Sequence, residues 1–92
     1  MELSIDTSTR YASVCLSHEG SLLAESRWFS KQNHSVELLP SVDNLLTGYN
    51  LNNKALDCVI VAIGPGGFSA LRVGLSTAKG LSASLSIPLV AL

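Results

Sequence analysis

Two short stretches hold residue types that could do chemistry. The first is Asp6-Thr7-Ser8-Thr9, an acid followed by hydroxyls. At the end of a central strand, a carboxylate can orient a Mg²⁺-bound water. The hydroxyls and N–H groups of such a turn can hold phosphate oxygens. The plainer reading is an Asx-type turn closing a hairpin. The second stretch is GPGGFSALRVG, Gly64 to Gly74, directly after the apolar run CVIVAI. A Walker A loop would need glycine and lysine where Ser69 and Ala70 stand, so that match fails. A dinucleotide fingerprint GxGxxG finds its first two glycines in Gly64 and Gly66 but not its third. Glycine is useful here without any ligand: Pro65 presets φ, Gly66 or Gly67 accepts a positive φ, and the chain reverses into a helix. The alternative is an anion site, built from free N–H groups at that helix start and from Arg72 as a two-pronged donor.

The remaining candidates carry less. Cys15 and Cys58 form no CxxC and read as small buried residues within strands. His18 reads as a turn residue and His34 as the approach to a helix. There is no HExxH, no His/Cys cluster at metal spacing and no GxSxG elbow. Trp28-Phe29 reads as a core or rim pair. Gly74-x-x-x-Ala78 is a strip of small residues that lets another element approach closely. Either the chain's own sheet or a second protein could fill it.

These residues must be positioned by a small scaffold. The chain has 92 residues, 47% of them apolar and 14% charged, with a net charge of −1. A single domain of this length has a thin core. So apolar a composition leaves apolar surface for contact with other molecules. The six basic residues (Arg10, Arg27, Lys31, Lys54, Arg72, Lys79) are spread thinly, which disfavours direct nucleic-acid binding. No apolar run is long enough for a membrane span, and MELSIDTSTR lacks a signal-peptide pattern. A cytoplasmic location is expected.

Hydrophobic periodicity predicts the elements. ELSID is a short strand. YASVCLSH alternates with period two, and HEGS turns it into the antiparallel strand SLLAESRWFS. In HSVELLPSVDNLLTGYN, Leu38, Leu39, Val42, Leu45, Leu46 and Tyr49 fall on one side of a helix. Pro40 within it predicts an irregular first turn. Asn53 is placed to cap a single turn at KALD. CVIVAI, apolar throughout, predicts a strand covered on both faces. Ser69 is the expected N-cap of a second helix running to about Leu85, and PLVAL is a last strand. The order β-β-β-α-β-α-β with right-handed crossovers gives a mixed sheet of order 3-2-1-4-5, an α/β fold of ribonuclease-H-like type. In that order the strands of Cys15 and Cys58 flank the first strand, which rules out a disulfide between them.

Together IDTST, HSVELLP and above all GPGGFSALRVGLSTAKGL resemble the TsaB (YeaZ) family over the whole chain. The family signature runs Gly-Pro-Gly-Ser-Phe-Thr-Gly-Leu-Arg-Ile-Gly. Gly64, Pro65, Gly66, Phe68, Leu71, Arg72 and Gly74 match it. Gly67, Ser69, Ala70 and Val73 replace the usual serine, threonine, glycine and isoleucine. The resemblance implies the actin/Hsp70/sugar-kinase superfold of two ribonuclease-H-like halves, with residues 1–92 as the N-terminal subdomain and the second half absent. It implies a non-catalytic accessory subunit of TsaD. With TsaD and the ATPase TsaE, such proteins install threonylcarbamoyl on the adenosine beside the anticodon of certain tRNAs. Pairing with TsaD, or with a second copy as a homodimer, is expected through the two helices, at Leu38, Val42, Leu45, Leu71, Gly74, Leu75, Ala78 and Leu81. No cofactor is expected for this chain by itself, with ATP and Mg²⁺ confined to the full complex; tRNA is reached indirectly, and no membrane is involved. The alternative is half of an ATP-binding kinase or ATPase of the same superfold, with Asp6, Thr7 and Thr9 at the nucleotide. A peptidase, the older glycoprotease label, finds no metal site or nucleophile in the sequence.

Overall fold

The computed structural model describes residues 1–8, 11–29, 34–48, 55–62, 64 and 68–92. The chain begins with three strands, β1 (Glu2–Asp6), β2 (Tyr11–His18) and β3 (Ser21–Phe29). Helix α1 (His34–Gly48), strand β4 (Cys58–Val61), helix α2 (Phe68–Leu85) and strand β5 (Leu89–Ala91) follow. They form one sheet of order β3-β2-β1-β4-β5, as the sequence predicts. β1 pairs antiparallel with β2 and parallel with β4, with Ile5 opposite both Val14 and Val61.

The β2–β3 hairpin closes with His18 opposite Ser21. Its two turn residues, Glu19 (φ 51°) and Gly20 (φ 82°), both lie in the left-handed region. That is the type I′ geometry, whose twist matches the flanking strands. The register shifts between Leu16 and Ser17, a bulge that bends the edge strand.

Both helices cover the same face of the sheet. Leu3, Ile5, Val14, Leu16, Val59 and Val61 form one buried cluster with Leu38, Val42 and Leu46 of α1 and Ala78 and Leu81 of α2. The alternate positions, among them Ser4, Ser13, Cys15 and Ile60, are half-buried on the opposite face. This corrects the reading of β4 as covered on both sides. Its run is apolar, but burial alternates along it, because among the described residues no helix packs on that second face. Cys15 and Cys58 are both free, two strands apart on this face.

α1 runs unbroken through Pro40, so the expected irregular first turn is not seen. Pro40 is exposed, which places its bulk toward solvent. Near it, the Ser41 hydroxyl donates to the Glu37 carbonyl at 2.8 Å. Trp28 Nε1 donates to Glu37 Oε1 at 3.1 Å and ties β3 to the first turn of α1. α2 starts at Phe68, so Ser69 lies inside its first turn and is not the N-cap. At the other end Ser86 takes φ 55°, and Ile87 N–H bonds the Ser82 carbonyl at 3.1 Å. This six-residue closure with a left-handed residue at its corner is a Schellman motif. Asn53 and Lys54 lie outside the described residues; of the rest of KALD, Ala55 is in a 3₁₀ turn, Leu56 is buried in the core and Asp57 is exposed just before β4.

Candidate functional site

The two stretches singled out by chemistry meet in the fold, but through packing. Asp6 ends β1, and its Oδ1 accepts the Ser8 backbone N–H at 2.8 Å and the Ser8 hydroxyl at 2.6 Å. This is the Asx turn that the sequence offers as the plain reading. Thr7, at the centre of that turn, is completely buried. It lies beneath α2, where Gly74 faces it. A Cβ at position 74 would stand 2.5 Å from Thr7 Oγ1 and 3.5 Å from its Cγ2. Glycine is therefore required by close approach: any side chain there overlaps a group with nowhere to go.

This geometry corrects two expectations. Thr7 is not available to a phosphate, since its whole surface is closed by its own chain. Gly74 and Ala78 are not the surface strip of an intermolecular contact. Gly74 is buried against Thr7, and Ala78 belongs to the core. Thr9 lies outside the described residues. Of the two described nucleotide candidates, Thr7 is closed off and Asp6 is half-buried, with one carboxylate oxygen engaged by Ser8.

In the signature loop, Gly64 is exposed after β4, and Pro65 and Gly66 lie outside the described residues. Phe68 opens α2. Because the helix starts there, exposed Arg72 is its fifth residue, past the four N–H groups left free at a helix start. Among the described residues no three His, Cys, Asp or Glu side chains gather as metal ligands. No described helix is long and apolar enough to cross a membrane. Burial raises the Cys15 thiol above its ordinary range, and the neighbouring Glu25 carboxylate adds to the effect. That disfavours the reactive thiolate.

The predicted interface residues divide by burial. Leu38, Val42, Ala78 and Leu81 are core residues of this chain and cannot themselves touch a partner. The physical reason is that one amphipathic stripe faces one way, and this stripe faces the sheet. Leu45 and Leu75 pack partly against the same core, and Leu71 is half-buried. Leu39 is 49% exposed on α1. The periodicity put it on the buried side, but it points outward. The outer helical surface therefore carries Leu39 and the partly open Leu45, Leu71 and Leu75, with Asp43, Arg72 and Lys79 exposed around them.

The family model described as TsaD, tRNA N6-adenosine threonylcarbamoyltransferase, matches residues 28–92. The tRNA threonylcarbamoyladenosine biosynthesis protein TsaB of Bacillus subtilis is 38% identical over 97% of this chain and 39% of its own length. A tRNA N6-adenosine threonylcarbamoyltransferase of Anaeromyxobacter dehalogenans is 41% identical over 66% of this chain and 18% of its own length. YeaZ from Pseudomonas aeruginosa superimposes with a TM-score of 0.91 at 34% identity, covering 99% of this chain and 42% of that one. The chain thus spans about two fifths of the length of the TsaB and YeaZ proteins it matches. The signature, the ribonuclease-H-like sheet order and these likenesses agree: the chain belongs to the TsaD family and corresponds to the N-terminal portion of TsaB/YeaZ proteins.

Proposed function

We propose that this protein acts in tRNA threonylcarbamoyladenosine formation as a non-catalytic accessory subunit that binds the TsaD enzyme through the outer surface of α1 and α2. The observation that carries the reading is the division of the helical layer. Its inner stripe closes the core, while Leu39 and the partly open Leu45, Leu71 and Leu75 remain on the outside. A leucine-bearing surface with a polar rim is the usual form of a protein contact. TsaE joins through the TsaD complex, and tRNA is reached only through it. ATP and Mg²⁺ belong to that complex and not to this chain. The working location is the cytoplasm.

Light scattering on the protein with and without TsaD tests this reading. A complex with the summed mass is expected, together with no heat on titrating Mg-ATP into the protein by itself. A protein whose mass ignores TsaD but which binds Mg-ATP would instead favour the kinase-like alternative.

A further inference from the structure

Asp6-Thr7-Ser8, at the end of the central strand, is a motif that the proposed contact with TsaD leaves without a role. Side chains alternate along β1, so Leu3 and Ile5 face the helices and Thr7 takes the next position on that side. Thr7 is completely buried and is the one buried polar side chain among the described residues. β1 ends at Asp6, so strand pairing does not hold Thr7 in place. The Asx turn does: Asp6 Oδ1 accepts both the N–H and the hydroxyl of Ser8, which fixes the backbone on either side of Thr7. Across from it the backbone of α2 approaches with no side chain between, since a Cβ on Gly74 would meet Thr7 Oγ1 first, at 2.5 Å. Leu71 and Leu75 lie about 60° and 100° round the helix from Gly74, on one flank. Both move with this contact.

We infer that the Asp6–Ser8 turn is the seat of α2, and that it sets where Leu71 and Leu75 stand in the surface proposed to bind TsaD. For its effect on binding, the inference rests on the accessory-subunit reading. Thr7 is a positioning residue that acts through Gly74. Its hydroxyl is the nearest group to α2, and the close packing around it passes any displacement to the helix. Asp6 is a positioning residue that acts through Ser8, from the opposite face of the sheet. This role needs an acceptor oxygen on residue 6 but not its charge. A metal–phosphate site would need the charge. The two roles of the same carboxylate are therefore separable by one substitution.

The test is the affinity for TsaD at a temperature where circular dichroism shows every variant folded. A loss of stability leaves that affinity unchanged, so a merely structural role would not move it. Asp6→Asn keeps a carbonyl acceptor for Ser8 and should bind TsaD as the unaltered protein does. Asp6→Ala removes the acceptor and should bind on the order of tenfold more weakly. Gly74→Ala should lose a similar factor, and adding Thr7→Ala should restore most of it. Where Gly74→Ala fails to fold, the two Asp6 variants decide the question. A crystal structure of Gly74→Ala, which requires no TsaD, should show α2 displaced from the sheet at residue 74. Equal weakening by Asp6→Asn and Asp6→Ala assigns the turn to charge and overturns the inference. So does a Gly74→Ala protein that binds TsaD unchanged or holds α2 in place. If the unaltered protein does not bind TsaD, the accessory-subunit reading fails, and the position of α2 in Gly74→Ala decides the seat by itself.

Discussion

The two faces of the sheet are built from the same strands and differ in almost every physical respect. On the helical face, Leu3, Ile5, Ala12, Val14, Leu16, Val59 and Val61 are all at most 1% exposed. On the other face, Glu2, Ser4, Asp6, Ser13, Ser17 and Cys58 are only half-buried. The first face holds the fold, and the second tolerates charge. The comparison separates residues that look alike in sequence. Leu38 and Leu39 are neighbours, yet one is core and the other is surface.

The largest effect is expected on the covered face. Leu38→Ala removes a fully buried side chain from the α1–sheet contact and should cost about 2–5 kcal/mol in denaturant unfolding. If the cost were within about 0.5 kcal/mol, the usual range for a surface change, the division of the helix would be wrong.

Gly74→Ala comes next. It places a methyl group on Thr7 Oγ1 with no free space, an overpacking expected to cost about 1–3 kcal/mol. Thr7→Ala should remove much of that penalty, giving a coupling of about 1 kcal/mol or more in a double-mutant cycle. Independent, additive effects would break the proposed contact between the turn and α2.

The opposite sign is expected where a backbone preference is unmet. Gly80 sits mid-helix with nothing within 4 Å of a Cβ, so Gly80→Ala should stabilise by about 0.5–1 kcal/mol. Ser86 holds φ 55° at the helix end, and Ser86→Gly should raise stability by up to about 1 kcal/mol by removing that strain. Thermal melts of both variants check the contrast with Gly74, since all three positions involve glycine in or just after one helix.

The smallest effect concerns the α-amino group of Met1, which hydrogen-bonds the Asp57 carboxylate. That bond holds Asp57 below its ordinary 3.8 and the amine above its ordinary 8.0. The Asp57 contribution is present above about pH 4 and lost as pH falls through its lowered value. The amine's contribution is present below about pH 8 and lost as pH rises through its raised value. Melting temperatures of the protein and of Asp57→Asn should therefore differ most between these limits and converge outside them. Exposure makes the difference small.

Much of the fold was legible because the signals were local. Period-two alternation in YASVCLSH, the Glu19-Gly20 turn and the change of period at HSVELLP are each readable within a few residues, and the crossover rule does the rest. The site was less legible because its contacts are distant in sequence. Nothing near Gly74 indicates that Thr7 lies beneath it. The strip of small residues suited a foreign partner as well as the chain's own sheet. The apolar run of β4 could not reveal that only one of its faces carries helices, because composition describes both faces at once. α2 begins earlier than Ser69 suggests, so Arg72 loses the position from which it would hold an anion.

The proposed contact puts the outer helical surface, and not the open sheet face, against TsaD. The direct measurement is the affinity of TsaD for Leu39→Asp and for Ser13→Asp, both checked for folding. At least about tenfold weaker binding is expected for Leu39→Asp, as for a buried charge in an interface, and unchanged binding for Ser13→Asp. Binding lost by Ser13→Asp and kept by Leu39→Asp would contradict it.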